Sequence, residues 1–424
     1  MLKNHTIIEH VKLKLVIFDM KEKGLVDFFE KYLEKKPIFK NKLILQSNYA
    51  PLQIFHRDEQ IQQLANILAP ALRGDKPSNL FIYGKTGSGK TLTVKHTTQQ
   101  LSGVAQQKRI PLKIIYLNCK LKKLADTEYR LVAQLLHEYG KNIPPTGLPT
   151  DEVYNIFFQT IDKDKHNLIL VLDEIDQLAG KVGDELLYNL TRINSELKNT
   201  QITLIGISND SSFTDNLDPR VKSSLSEEDL VFPPYNAEQI QNILEQRAQL
   251  AFNPGVVEEG VLGKCAAFAA REHGDARRAL ELLRVSGELA ERQNNVKVSI
   301  IHLDQAEEKI ERDRVLDIVA SQPKQYQVTL FSILDACNQK QGVFTGEIYT
   351  LYERYCAQTG LRPLTQRRVS DIIAELDMLG IINARVISKG RYGRTREISL
   401  GTNDGITQKI KGILNEELGL SWSS

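Results

Sequence analysis

The sequence predicts a parallel α/β core, then a helical domain, then a C-terminal domain of three helices and a β-hairpin. Three observations lead to this prediction. Four short apolar runs alternate with helical stretches in the first half of the chain, as in parallel sheets whose two faces are covered by helices. Residues 236–320 show helical patterns with no strong strand. After Pro323 come three more helical segments and a stretch typical of a hairpin.

The elements of the core follow in order along the chain. Residues 37–56 show little periodicity, and we expect them to form an extended arm. Apolar residues at helical spacing predict a helix over residues 57–73. The apolar runs that predict buried strands are residues 79–84, 113–118, 167–174 and 201–208.

The composition is that of an ordinary globular protein. Of 424 residues, 41% are hydrophobic and 25% are charged, which excludes disordered and collagen-like proteins. The net charge of +2 excludes a uniformly basic nucleic-acid coat but allows a local basic patch. No apolar run reaches the roughly 18 residues of a membrane span, so we expect a cytoplasmic protein with no membrane partner. The four cysteines are far apart and indicate buried thiols rather than a zinc site or disulfides.

A phosphate-binding loop follows the first predicted strand. Residues 84–91, GKTGSGKT, match G-x-x-x-x-G-K-[ST] and precede a helical segment. Glycines let such a loop fold round an anion with its amides pointing inward, and the helix N-terminus favours negative charge. We expect Lys90 to reach the β- and γ-phosphates of ATP and Thr91 to bind Mg²⁺; the alternative is a glycine-rich turn without a ligand. The predicted ATP-binding residues of this loop are Gly84, Lys85, Thr86, Gly87, Ser88, Gly89, Lys90, Thr91 and Leu92.

Polar residues end two later strands. Asp173 and Glu174 follow a buried run, and ligands of open α/β sheets lie at the carboxyl ends of the strands. We expect Asp173 to hold Mg²⁺ and Glu174 to orient and polarise the attacking water. Asn209 ends the next apolar run and would lie beside Asp173 if the two strands are neighbours, where its amide can hold the water and the γ-phosphate. Solvated turns are the alternative for all three residues.

Together these residues resemble an AAA+ ATPase. Further motifs resemble a narrower group, the archaeal DNA-replication initiators related to the eukaryotic origin recognition complex and its helicase-loading partner. Residues 55–61, FHRDEQI, are similar to the helix that lies beside the nucleotide base in that family. Residues 217–224, LDPRVKSS, resemble its arginine-finger segment. Residues 234–247 resemble the start of its lid, and residues 274–280, GDARRAL, its sensor-2 motif.

The resemblance implies roles for four residues. Tyr235 and Arg247 would contact the nucleotide from the lid, and Arg277 would fold onto the γ-phosphate. Arg220 would complete a neighbour's site in trans, as arginine fingers do. For Arg277 a solvated helix face is the alternative, and for Arg220 an ordinary surface position.

The resemblance also divides the chain into domains. We predict an AAA+ nucleotide-binding base domain over residues 37–232, a helical lid over 233–320 and a winged-helix DNA-binding domain over 321–404. Residues 405–424 are predicted to be a C-terminal tail. The N-terminal extension, residues 1–36, is given no role by the resemblance.

The C-terminal domain has a concentrated basic patch. Its third helix is predicted to begin at residues 365–368, TQRR, so that its first turn points to the major groove. The hairpin over 381–400 carries five basic residues and one acid between residues 384 and 398, a sum of +4. A solvated hairpin and a protein-binding winged helix are the alternatives. The predicted DNA contacts are Arg367, Arg368, Lys389, Arg391, Tyr392, Arg394 and Arg396.

These predictions combine into one functional hypothesis. The protein would bind ATP with Mg²⁺, hydrolyse it slowly to ADP, recognise duplex origin DNA, and help recruit or load a replicative helicase of the MCM type. Other initiator paralogues are possible partners, and the protein would be nucleoid-associated. One alternative is a clamp-loader-type AAA+ assembly ATPase, although its subunits carry a helical collar rather than a basic wing. The other is a signalling ATPase whose winged helix binds protein.

Overall fold

The computed structural model describes most of the chain. It describes residues 36–120, 127–144, 146–182, 185–210, 217–221, 227–339, 342–388, 394–402, 404–420 and 422. The predicted N-terminal extension therefore lies almost wholly outside the described residues. The chain divides into two compact units, and the boundary between them in the sequence lies between Leu303 and Asp304.

The first unit is built on a five-stranded parallel sheet with the order β2-β3-β4-β1-β5. Alternate residues of each strand point to opposite faces, and the faces carry separate cores. Phe81 and Leu170 pack on one face, in the core that includes Leu131. Ile82 and Val171 pack on the other face, in the core that includes Leu64. The strands are β1 Asn79–Gly84, β2 Leu112–Asn118, β3 His166–Asp173, β4 Thr200–Ser208 and β5 Glu227–Phe232.

Helices cover this sheet and form the lid. Those beside the sheet are α1 Asp58–Leu68, α2 Lys90–Lys108, α3 Glu128–Glu138, α4 Thr150–Ile161, α5 Ile175–Val182 and α6 Glu185–Arg192. Those after the sheet are α7 Ala237–Ala251, α8 Val261–Arg271, α9 Ala276–Arg292 and α10 Ile300–Ser321. Helix α10 crosses the boundary between the two units. None of the helices in the described ranges is long and apolar enough to cross a membrane.

Two parts of the first unit differ from the expectation. The strand β5 was not predicted, because its acidic residues Glu228 and Asp229 are exposed and hide the apolar pattern. The segment 37–56 is not an extended arm. Its residues Lys42–Leu45 form a 3₁₀ helix with Ile44 and Leu45 buried, and the N–H groups of Lys40 and Asn41 donate to the carbonyl of Ala251 at the end of α7.

The second unit has the predicted three helices and hairpin. A short strand β6 joins the hairpin to give the antiparallel sheet β6-β8-β7. Helix α13, Gln366–Met378, buries Val369, Ile372, Ile373 and Leu376, and its C-cap residue Leu379 is 38% exposed. The elements are α11 Lys324–Gln339, β6 Val343–Phe344, α12 Thr345–Thr359, α13 Gln366–Met378, β7 Ile382–Ser388, β8 Arg394–Leu400 and α14 Asp404–Leu418.

The last helix corrects the expectation of a C-terminal tail. Residues 405–424 were set apart from the winged helix, but Asp404–Leu418 forms α14, which packs against α11. Ile410 and Leu414 are fully buried in the same core as Phe331, and the ring of Trp422 stacks on that of Phe331 with centroids 3.9 Å apart. The segment is therefore part of the core of the second unit.

Candidate nucleotide site and DNA-binding surface

The phosphate loop joins β1 to α2, and close neighbours require its glycines. A Cβ atom on Gly87 would lie 1.8 Å from Oδ1 of Asp275, which caps α9. A Cβ atom on Gly89 would lie 2.7 Å from the hydroxyl oxygen of Tyr235. Both glycines also have positive φ angles, 74° and 90°, which residues with a Cβ rarely adopt. The loop is thus held against the lid by residues that leave no room for a side chain.

Lys90 lies inside the loop and is 5% exposed. Its Nζ donates to the carbonyl oxygens of Gly84 at 2.6 Å and Lys85 at 3.0 Å, and to Oδ1 of Asn209 at 2.8 Å. Burial lowers the pKa of Lys90 to about 8, with Asp173 acting in the opposite direction. The structure therefore brings two of the predicted site residues, Lys90 and Asn209, into direct contact across the ends of β1 and β4.

The carboxylates at the end of β3 lie beside the loop because only β4 separates β3 from β1, the strand that precedes the loop. Oγ1 of Thr91 donates to Oδ2 of Asp173 over 3.0 Å, and the hydroxyl of Tyr116 donates to the same oxygen. Burial raises the pKa of Tyr116, and Asp173 adds to this effect. Glu174 has a φ of 55°, and its carboxylate lies 3.5 Å from Nζ of Lys120.

The oxygen groups of Thr91 and Asp173 suit Mg²⁺, which prefers hard oxygen ligands and commonly takes one or two from protein and others from phosphates. Their mutual contact shows that both point to one place. Among the described residues there is no group of three His, Cys, Asp or Glu side chains that could hold a metal by itself. The donor set therefore fits an ion shared with a nucleotide rather than a metal site made by protein alone.

A cavity of about 450 Å³ opens beside the loop. Residues 46–55, which the sequence had placed in an extended arm, form one wall, and the lid helices α7 and α9 form another. Of the predicted lid contacts, Tyr235, Arg247 and Arg277 all line it. Gly87, Gly89, Thr91 and Leu92, from the loop and the start of α2, also line the cavity.

The lid residues differ in how they are held. Tyr235 and Arg247 are 5% and 8% exposed, and the guanidinium of Arg247 lies 4.6 Å from the ring centroid of Tyr49. Burial lowers the pKa of Arg247 and raises that of Tyr235. Arg277 is exposed at the first turn of α9, and its charge acts on the pKa of Lys90. Arg277 therefore lies close enough to the phosphate loop to influence it.

Arg220 lies away from these residues on the surface. Its side chain is 81% exposed, and its guanidinium donates to both carboxylate oxygens of Asp218 at 3.0 and 3.1 Å. This pair lowers the pKa of Asp218. The structure does not bring Arg220 to the cavity, and its role in trans stays a prediction.

Two residues of the site were missed as site residues. Tyr116 contacts Asp173, and Arg57 is 2% exposed between the phosphate loop and the start of the lid. Nε of Arg57 donates to the carbonyl of Ser88 at 2.9 Å, and Nη2 donates to that of Pro233 at 2.6 Å. Arg57 belongs to the FHRDEQI motif, so its position in a known motif was the available signal. Tyr116 gave none, because aromatic residues are common in strands.

The predicted DNA-binding residues lie in the second unit. Arg367 and Arg368 are exposed in the first turn of α13. Nη1 of Arg368 lies 3.8 Å from carboxylate oxygens of both Asp371 and Glu375 on the same helix. The structure therefore supports an exposed basic turn, with the charge of Arg368 shared among its own neighbours.

The predicted DNA contacts of the hairpin differ in how much the structure describes of them. Nη1 of Arg396 donates to the carbonyl of Ser370 at 2.6 Å, and the residue is half-buried. Arg396 thus ties β8 to α13, a contact that the sequence pattern did not indicate. Arg394 begins β8, but its side chain lies outside the described part of the structure, as do Lys389, Arg391 and Tyr392 altogether.

Family models match three consecutive parts of the chain. The AAA ATPase domain matches residues 53–203, the Cdc6 AAA+ ATPase-type lid domain matches residues 241–308, and the Cdc6 C-terminal winged helix domain matches residues 317–409. The winged-helix match, together with the β6-β8-β7 sheet, excludes the clamp-loader alternative, which required a helical collar.

Known proteins match nearly the whole chain. The ORC1-type DNA replication protein of Pyrococcus abyssi is 54% identical over 398 residues, 92% of this chain and 93% of that protein. That of Thermococcus onnurineus is 51% identical over 404 residues, 94% and 96% of the two chains. A solved structure of the Aeropyrum pernix ORC1 protein in complex with DNA is 44% identical, with a TM-score of 0.77, and covers 90% of this chain and 98% of that one. Identity of about half along more than nine-tenths of the sequence shows that this chain belongs to the ORC1-type DNA replication proteins, a family of AAA+ ATPases with a C-terminal winged helix.

Proposed function

We propose that this replication initiator binds ATP with Mg²⁺, hydrolyses it slowly, recognises duplex origin DNA, and helps recruit or load an MCM-type helicase. The proposed binding of ATP is supported chiefly by the phosphate site, in which Lys90 contacts Asn209 and Thr91 contacts Asp173. Residues from β1, β3, β4 and α2 meet there only in the folded chain.

ATP and ADP would occupy the loop and the cavity beside it. The loop amides and Lys90 would hold the phosphates, since a buried ammonium strongly favours an anionic partner. The wall formed by residues 46–55 with Tyr235 and Arg247 would enclose the rest of the nucleotide. Arg277, exposed beside the loop, would sense the γ-phosphate. Thr91 and Asp173 would hold Mg²⁺, which supplies charge neutralisation at the phosphates when bound.

Glu174 would act as the general base that accepts a proton from the attacking water. Its carboxylate lies 3.5 Å from Nζ of Lys120, whose side chain is 72% exposed. Such an exposed ion pair is weak and leaves the Glu174 carboxylate available to water. Asn209, which contacts Lys90, would assist at the γ-phosphate. Arg220 would complete the site of an adjacent initiator chain, so a paralogue or second copy is the proposed partner for turnover.

DNA recognition rests on the second unit. The exposed arginines at the start of α13 can reach base edges, and the basic hairpin can contact phosphates. The related Aeropyrum pernix ORC1 protein was solved in complex with DNA, which supports the same class of partner here. Helicase recruitment is proposed from membership of the ORC1-type DNA replication proteins.

Genome-wide occupancy of the protein tests the origin and helicase roles together. We expect a small number of peaks at origins, with MCM recruited there only when the initiator is present. A companion measurement of duplex binding against salt tests the signalling alternative. Binding that does not weaken with rising salt, or no binding at all, would favour a winged helix that binds protein.

A further inference from the structure

A buried arginine lies where three segments of the first unit meet. Arg57 precedes α1 and is 2% exposed. Its guanidinium donates to the carbonyl oxygens of Ser88 at 2.9 Å, Pro233 at 2.6 Å and His56 at 3.1 Å. The same group lies 3.8 Å from the ring centroid of Tyr235. Ser88 belongs to the phosphate loop, whereas Pro233 and Tyr235 connect β5 to the first lid helix.

The bond to Ser88 sets the direction of one peptide of the phosphate loop. In a planar trans peptide the C=O and the following N–H point in opposite directions, and no described peptide bond is cis. Because the Ser88 carbonyl points to Arg57, the N–H of Gly89 points away from Arg57. Gly89 lines the cavity beside the loop. Turning this peptide would break the bond to Arg57 and leave a buried donor without its acceptor, which is costly.

The lid residue beside Arg57, Tyr235, is also closely packed. A Cβ atom on Gly89 would meet the Tyr235 hydroxyl at 2.7 Å, and one on Gly274 would meet the Tyr235 carbonyl at 2.3 Å. Tyr235 therefore fits between the phosphate loop and the segment that begins α9. A displacement of the 233–235 linker changes both the carbonyl and the ring that hold Arg57.

We propose that Arg57 is a positioning residue that couples the phosphate loop to the linker 233–235, so that nucleotide in the loop sets the position of the lid. The inference rests on the proposed nucleotide binding and adds a route by which the lid responds. Arginine suits this place because its planar fork presents several donors in fixed directions, which a lysine ammonium does not.

The test compares Arg57→Lys with the native chain by hydrogen exchange without nucleotide. Lysine keeps the charge and is expected to satisfy fewer of the three carbonyls. Exchange should therefore rise together in residues 86–91 and 235–240, while α3 and α8 stay unchanged. The control is Arg271→Ala, an exposed arginine of α8, which should raise neither segment. If only one segment responds, or neither does, Arg57 does not couple them.

A second arm adds ADP. The native chain and the Arg271→Ala chain should gain protection in both segments. Arg57→Lys should bind ADP about tenfold more weakly, because ordering the loop peptide that Arg57 no longer fixes costs about 1.4 kcal/mol on binding. Arg57→Lys should also gain no protection at 235–240 even at saturation. Equal lid protection in Arg57→Lys at saturation would overturn the proposal. If the native chain itself does not bind ADP, the proposed function fails, and the nucleotide-free comparison still decides the coupling.

Discussion

The nucleotide site and the winged helix use their cations in contrasting environments. In the first unit Lys90 and Arg57 are almost fully buried and donate to named protein oxygens. In the second unit Arg367 and Arg368 are exposed, and Arg368 lies near acidic groups of its own helix. A buried cation has a geometry that its neighbours impose, since leaving it without partners is costly. An exposed cation obtains its geometry from whatever binds it.

This contrast predicts that changes in the nucleotide site act in nearly all-or-none fashion, whereas changes on the winged helix act in steps.

Lys90→Ala should abolish nucleotide binding. The change removes the one ammonium that contacts Gly84, Lys85 and Asn209, and it leaves the phosphate charge without a partner in a partly dry site. Calorimetry with ATP and ADP measures the effect. Lys108→Ala, at the exposed end of the same helix, is the control and should bind normally. Unchanged affinity in Lys90→Ala would contradict the phosphate-loop assignment.

Glu174→Gln should keep ATP binding and reduce turnover by about 10²- to 10⁴-fold, the usual contribution of a general base. The amide is nearly isosteric but does not accept a proton from water. A phosphate-release assay at saturating ATP measures it, with the exposed Glu152→Gln of α4 as control. Turnover within a few-fold of the native rate would mean that another carboxylate acts as the general base.

Arg367→Ala should reduce the preference for origin over random duplex more than Arg368→Ala does. A bidentate contact to a base is worth about 1–3 kcal/mol of discrimination. The charge of Arg368 is shared with Asp371 and Glu375, so that residue has less to lose. Competition binding with the origin duplex and the random duplex measures the ratio of the two affinities. An equal loss in both variants would remove the distinction drawn from the ion pairs.

The hairpin arginines should separate into two kinds. Replacing Arg391 and Arg394 by alanine should lower the slope of log affinity against log salt by up to about 1.8, or roughly 0.9 per lost phosphate contact. Arg396→Ala should instead lower thermal stability, because its guanidinium bonds to the Ser370 carbonyl. If the single variant Arg396→Ala lowers the salt slope and leaves the melting temperature unchanged, then Arg396 contacts DNA.

Nucleotide affinity should fall as the pH rises through about 8, where burial places the pKa of Lys90. Phosphate binding needs the charged form, so affinity should drop about tenfold between pH 7 and pH 9. The free energy of unfolding of the nucleotide-free protein depends on pH in the opposite direction to the nucleotide affinity. An unfolded lysine with a pKa of 10.5 holds more protons than the folded one, so nucleotide-free stability should rise with pH between about 8 and 10.5. Titrations with ADP at three pH values measure the first effect, and a flat affinity would contradict it.

The sequence was enough to predict local features of this protein. Alternation of apolar runs predicted four of the five core strands. The motif spacing placed Lys90, Thr91 and Asp173 in one predicted site, and in the structure Thr91 donates to Asp173 while Lys90 donates to Asn209. These features are encoded over short distances, because buried strands must be apolar and a phosphate loop needs its glycines in a fixed order.

Only the tertiary structure decided the rest, because those features depend on residues distant in the chain. The strand β5 exists through pairing with β1, not through its own acidic pattern. The segment 37–56 became a cavity wall by packing on the lid, and the expected tail became part of a core with Phe331. The sequence assigned Arg57 only to a motif and Arg396 to DNA, and it did not indicate the hydrogen bonds that both make within the protein. Their roles arise from carbonyl groups 31, 176 and 26 residues away, and no local pattern records which carbonyl a folded chain will bring to a guanidinium.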